Sequence, residues 1–157
     1  MFEQIYIFFT LEMLYMWVNL GVLPFWIILI FFSNSQFCKI FTTSIFPILI
    51  LSIAYCFMLY IGFQKDYDFL SNFKLYIDLN EVSNLFSNNY FLLMFWTHFV
   101  AINLFLGGWI VKDSQKFGMN KIIVSFPLII VYLIGPIGLT TYWFIRIFYA
   151  KRINLYD

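Results

Sequence analysis

Charge is scarce in this sequence. Nine Lys and Arg and eight Asp and Glu serve 157 residues, or 11% of the chain, against roughly a quarter in soluble domains. So few charges cannot cover a soluble surface, and a net charge of +1 leaves no electrostatic footprint for nucleic acid. Histidine occurs once, at His98, so a bis-histidine haem within one chain is excluded. The two cysteines form no CxxC and no Cys/His cluster, which excludes structural zinc and iron–sulfur sites. No metal or cofactor is expected. Cys38 falls in a short loop and Cys56 in an apolar run, so no disulfide between them is expected either. GxGxxG, P-loop, serine-elbow and HExxH motifs are all missing, which leaves the corresponding soluble-enzyme chemistries without support.

What is present is apolar. Hydrophobic residues make up 63% of the chain and the mean hydropathy is +0.87, outside the soluble range. The 22 Phe and 11 Tyr fit lipid-facing bulk and interfacial belts. Four long apolar stretches cover residues 5–32, 45–63, 90–111 and 122–149. They predict an all-α integral membrane bundle of about four transmembrane helices, forming one domain over 1–157. The first stretch, about 42 Å as continuous helix, exceeds a hydrocarbon core of about 30 Å; Gly21 and Pro24 offer a break or kink between Asn19 and Pro24. Pro47 opens the second, where its missing amide costs least. A second bend is expected at Gly135-Pro136-Ile137-Gly138, within the fourth. The start, Met-Phe-Glu-Gln, is acidic and is not expected to act as a cleavable signal.

The long polar stretch, residues 64–89, separates the second and third spans. Asp78-Leu-Asn-Glu81 has capping-box spacing, and Leu79, Val82, Leu85 and Phe86 recur at helical intervals. A short interfacial helix is expected there, the alternative being an ordered loop with one helical turn. With four crossings both termini lie on one side, together with Lys65, Lys74, Arg146, Lys151 and Arg152. Lys39, Lys112, Lys116 and Lys121 lie on the other. Five against four does not orient the chain.

Ionisable residues inside apolar spans mark candidate sites. Glu12 sits about two turns into the first span, His98 eight residues into the third, and Arg146 near the end of the fourth. In a four-crossing bundle Glu12 and His98 share a depth of roughly 10–12 Å. They are expected to meet as an acid–base pair, with Arg146 as counter-ion. Asn103 stands about 140° around the helix from His98. Trp96, Asn103 and Gly107 therefore share one face, and His98, Phe105 and Trp109 lie around another. Gly107-Gly108 reads as a close helix contact.

Several stretches together resemble one family. They are Leu23-Pro-Phe-Trp26, the Pro47 span, Trp96-Thr-His98 with Asn103-Leu-Phe and Trp109…Asp113, and Gly135-Pro-Ile-Gly138…Tyr142…Arg146. The chain resembles the abscisic-acid-deficient-four-like membrane proteins, associated with neoxanthin synthesis, over about residues 20 to 148. The resemblance implies a carotenoid-like lipid ligand in a bilayer, a part in xanthophyll conversion, and residence in a bacterial inner membrane or an organellar membrane. Opening a xanthophyll epoxide to an allene needs an acid at the epoxide oxygen and a base for a ring-adjacent proton. His98 matches the family's histidine and is expected to be catalytic, with Glu12 as the carboxylate. Trp96, Asn103, Trp109 and Arg146 are expected to bind the substrate. Two positions depart from the family pattern: Asn103 stands where an acid is usual, and no arginine stands near Gly108. The alternative is a non-catalytic subunit or polyene chaperone that packs against membrane-protein partners.

Overall fold

A computed structural model describes residues 10–64 and 69–151, with the side chains of residues 63–72 left aside. Residues 5–9 of the first apolar stretch, Lys65 and Arg152 therefore lie outside the described residues. Among the described residues the chain is all-helical. Helix α1 is Leu11–Phe31, α2 Phe46–Gln64, α3 Leu79–Phe86, α4 Asn89–Lys116, α5 Lys121–Leu133 and α6 Gly135–Ala150. A π-type turn, Cys38–Thr42, leads into α2, and a 3-10 segment, Phe69–Tyr76, leads towards α3. Among the described residues three helices are long and apolar enough to cross a bilayer: α1, α2 with its preceding turn, and α4.

Polar side chains set the helix starts. Thr10, Asp78, Asn88 and Asn120 each accept a hydrogen bond from a first-turn amide of the following helix. Asp78 caps α3 through the Asn80 N–H, one position earlier than the capping-box spacing predicts. The interfacial helix exists as expected. It buries no residue of its own, and Phe86 sets its ring edge-on against Phe95 of α4 at 4.7 Å. Helix α4 ends where Gly118 turns to φ +60°, with its amide on the Gln115 carbonyl and that of Met119 on Ser114. Glycine takes that left-handed turn without strain.

Helix α1 runs unbroken through Asn19, Gly21 and Pro24, so the chain is not interrupted there. Its buried stripe, Val18, Val22, Trp26 and Leu29, follows helical spacing and packs on α4. The Trp26 ring lies over Gly107, where an added Cβ would come within 2.9 Å of it. The expected close contact at Gly107 is therefore made against α1. Both helices point the same way, since Gln115 near the end of α4 donates to the Ser33 carbonyl just past α1.

The fourth apolar stretch does not form one crossing. Ile134, at φ −144° and ψ 88°, splits it into α5 and α6. These helices have 13 and 16 residues, so they reach only about 20 and 24 Å, short of a bilayer core. They also fold back on each other. One continuous helix would put Arg146 about 38 Å from Lys121. Instead the Arg146 guanidinium carbon lies 4.9 Å from the ring of Phe117, just before α5 begins. The expected fourth span is thus a re-entrant hairpin, and the end of α6 returns to the end of the bundle where α4 finishes.

Local chemistry explains the reversal. Pro136 has no amide to continue α5, but its fixed φ suits the first turn of a new helix. Gly138 then passes so close to Val131 that a Cβ would collide with the Val131 backbone nitrogen. Only a residue without a side chain permits that approach.

The hairpin makes Lys121 and Lys151 neighbours in depth. Single cysteines at Lys121 and Lys151, with Cys38 and Cys56 replaced by Ala, should react with an impermeant maleimide from one face of the membrane, and a cysteine at Asn80 from the other. Labelling of Lys121 and Lys151 positions from opposite faces would restore the single crossing.

Candidate functional site

The residues singled out in the sequence fall into three places around α4. The first is a buried ionic cluster at the end where α6 returns. Arg146 is 2% exposed and Asp113 9%. Arg146 Nε donates to Asp113 Oδ2 at 2.7 Å and Nη2 to Oδ1 at 3.2 Å, a two-pronged pair. The Tyr142 hydroxyl donates to the same Oδ2 at 2.6 Å. The guanidinium carbon also lies 4.8 Å from the centre of the Trp143 ring and 4.9 Å from that of Phe117, within cation–π range. Trp109 packs edge-on against Tyr142 at 5.8 Å. Trp109 and Arg146 thus belong to one cluster, whose carboxylate is Asp113.

The second place is the seam between α1 and α4. A cleft of about 520 Å³ is lined by Leu11, Glu12, Tyr15, Asn89, Leu93 and Trp96 among others. A second, smaller cavity of about 130 Å³ lies farther along the seam, lined by Asn19, Trp26, Trp96, Phe99, Asn103 and Tyr132 among others. Trp96 walls both. Its indole N–H donates to Asn19 Oδ1 at 3.1 Å, and Asn19 Nδ2 donates in turn to the Tyr15 carbonyl. From Leu11 to Trp26 the seam follows α1 for about 22 Å. Glu12 is exposed at one end. Asn103, 3% exposed, sits at the other with its carboxamide oxygen against Gly135.

The third place is the opposite flank of α4. His98 is exposed there, in a cleft of about 150 Å³ with Leu51, Ser52, Tyr55, Cys56, Thr97 and Ala101. Its ring lies 6.2 Å from that of Tyr55, on α2.

Glu12 and His98 therefore do not meet: they line separate clefts that share no residue, and no hydrogen bond or ion pair joins them. The reason is angular. Position 98 lies about 200° around the helix from 96, and α1 packs on the Trp96 face. Arg146 is not their counter-ion, because the hairpin carries it to the far end. Asp113 is the charged residue that the sequence reading missed as a site. Its signal was available. The Pro136 break leaves two pieces too short to cross, and a returning α6 brings Tyr142 and Arg146, four residues apart on one face, to the level of Asp113.

Among the described residues no group of three His, Cys, Asp or Glu side chains could hold a metal ion. A model of the family described as ABA DEFICIENT 4-like matches residues 13–142. That range contains Trp96, His98, Asn103, Asp113 and Tyr142, and excludes Glu12 and Arg146. The protein named ABA DEFICIENT 4, chloroplastic, from Arabidopsis thaliana is 25% identical over 126 residues, covering 78% of this chain. The chain spans 56% of the length of that relative. No solved structure matches it.

The ionic cluster predicts how the hairpin fails. Arg146→Met strands a buried carboxylate and should cost about 3–5 kcal/mol of stability. Tyr142→Phe, which removes one hydrogen bond to that carboxylate, should cost about 1.5–3 kcal/mol. Asp113→Leu combined with Arg146→Met should lose less than the two single changes added together. Unfolding in detergent followed by circular dichroism measures all four. Losses under about 1 kcal/mol for Arg146→Met would show that the pair does not anchor α6.

Proposed function

Because the chain belongs to the ABA DEFICIENT 4-like family, we propose that it is a membrane protein that binds a carotenoid-like lipid along the seam between α1 and α4 and takes part in xanthophyll conversion. One observation carries the reading: the seam is long and walled by Tyr15, Trp96, Phe99, Trp26 and Tyr132, with a polar group at each end. A polyene is a stiff apolar rod whose oxygens sit on its end rings. Aromatic walls give such a rod contact area without specific bonds, and Glu12 and Asn103 stand where its ends would lie. The name of the Arabidopsis relative suggests an organellar membrane as the setting.

In this reading Trp96 is the central contact, and Glu12 is the titratable side chain that reaches the ligand. Pigment extracted from the protein, purified from a xanthophyll-producing host, should absorb as a polyene and give a xanthophyll mass. Trp96→Ala should lower pigment occupancy about tenfold, as the loss of an aromatic anchor from a binding site does. Protein that emerges colourless from such a host overturns the proposal.

The divergence of Glu12 and His98 favours a second reading, in which the chain holds the pigment for a partner that does the chemistry. Glu12→Gln and His98→Gln separate the two. If the chain is itself the isomerase, at least one change should lower conversion about a hundredfold, the contribution of a general acid or base, with pigment still bound. If it is a carrier, both variants should support a partner's conversion as well as the parent does. A reconstituted pigment-conversion assay reads the difference.

A further inference from the structure

A cleft of about 370 Å³ lies between the start of α2 and the flank of α4, with Ile45, Ile48, Leu104, Phe105 and Trp109 among its lining residues. Leu104, Gly108 and Lys112 recur every four residues on its α4 side, so it follows that helix for about 12 Å. Gly108 leaves its middle open: the nearest neighbour an added Cβ would meet is the Thr43 Cα, 4.0 Å away. Helix α4 has 28 residues. Centred on a hydrocarbon core of about 30 Å, it overruns that core by about 6 Å at each end. Lys112, one turn before the end at Lys116, therefore stands at headgroup depth, and the apolar part of the cleft descends from it among the acyl chains. Lys112 is exposed, and no hydrogen bond or ion pair engages its ammonium among the described residues. The neighbouring carboxylate, Asp113, is buried and held by Arg146. Thr43, on the cleft wall, donates its hydroxyl to the Lys39 carbonyl at 3.0 Å, which places the exposed Lys39 one turn from that wall. One cation thus stands at the head of an apolar cleft and a second beside it, and no described residue lining the cleft is acidic.

We propose that this cleft is a binding site for one anionic phospholipid, its phosphate against the Lys112 ammonium and one acyl chain laid down the cleft along Ile48, Leu104 and Phe105. A phospholipid divides as the cleft does, into a charged head and an apolar tail. Charge then chooses among lipids. A choline head carries its own cation, which Lys112 and Lys39 repel, whereas a glycerol head leaves the phosphate charge unbalanced. Attraction of this kind is worth about fivefold in binding for each lysine near the membrane surface. Trp109 closes one side of the cleft and also meets Tyr142 edge-on, so the bound lipid packs behind the residue that backs the ionic cluster. The cleft shares no lining residue with the α1–α4 seam, and the site stands whether or not the seam takes a polyene.

The test places the full chain in nanodiscs of equal phosphatidylglycerol and phosphatidylcholine and counts the lipids that stay bound by native mass spectrometry. The parent should retain one phosphatidylglycerol, preferred about twentyfold over phosphatidylcholine. Lys112→Gln should cut that preference about fivefold. Gly108→Leu fills the cleft but leaves both lysines, and should abolish retention of either lipid. Ile48→Trp narrows the cleft from α2 and should do the same if the leucine variant does not fold. Lys121→Gln removes an exposed lysine of the same end that does not line the cleft, and should change nothing. Equal retention of the two lipids by the parent overturns the proposal, as does a preference that survives Lys112→Gln or a lipid that stays in the filled cleft. A loss with Lys121→Gln as large as with Lys112→Gln overturns it too, because the preference would then belong to the basic end as a whole.

Discussion

A carboxylate surrounded by helices and lipid is several kcal/mol too costly to keep unless every lone pair is met. Asp113 is met by one guanidinium and one phenol, and both come from α6. That dependence runs in both directions. Arg146, with the Trp143 and Phe117 rings beside it, is itself only 2% exposed and gives its Nε to that carboxylate. The pair therefore holds the free end of a hairpin that is too short to be positioned by the bilayer alone. The rest follows from it: α6 lies along α4, Gly138 meets Val131, and Gly135 presses on Asn103.

Much of this was legible in the sequence. Apolar stretches of spanning length located α1, α2 and α4, and the Asp78 spacing located α3. Helical angle placed Trp96, Asn103 and Gly107 on one face, and that face packs against α1. What the sequence concealed was direction. Gly135-Pro136 is written the same way whether a helix bends or reverses, and only the length of the two halves distinguishes them. Reading 122–149 as one crossing put Arg146 at the wrong end and hid its partner. The pairing of Glu12 with His98 failed for a related reason: equal depth on parallel helices says nothing about which flank each side chain takes.

Backbone contact, more than side-chain bulk, decides the interior. Gly107 seats Trp26, Gly135 seats Asn103 and Gly138 seats the chain of α5. Gly21 and Gly108, by contrast, have open space or ordinary contact around them. In lipid, where apolar burial gives helices little reason to associate, such close approaches and a few polar bonds carry the association. The Ser125 hydroxyl, bonded to the Ile30 carbonyl across α1 and α5, is one more bond of this kind.

The reversal at Ile134 also settles an electrical balance. A crossing chain would share its cations almost evenly between the two membrane faces. Folding α6 back brings Lys151 to the end that already carries Lys39, Lys112, Lys116 and Lys121, all exposed. Lys74 is then the one exposed lysine described at the opposite end, alongside the acids Glu12, Asp78 and Glu81. Insertion machinery and membrane potential hold cationic loops on the untranslocated side. Two residues that break a helix thus gather most of the described lysines at one end of the bundle.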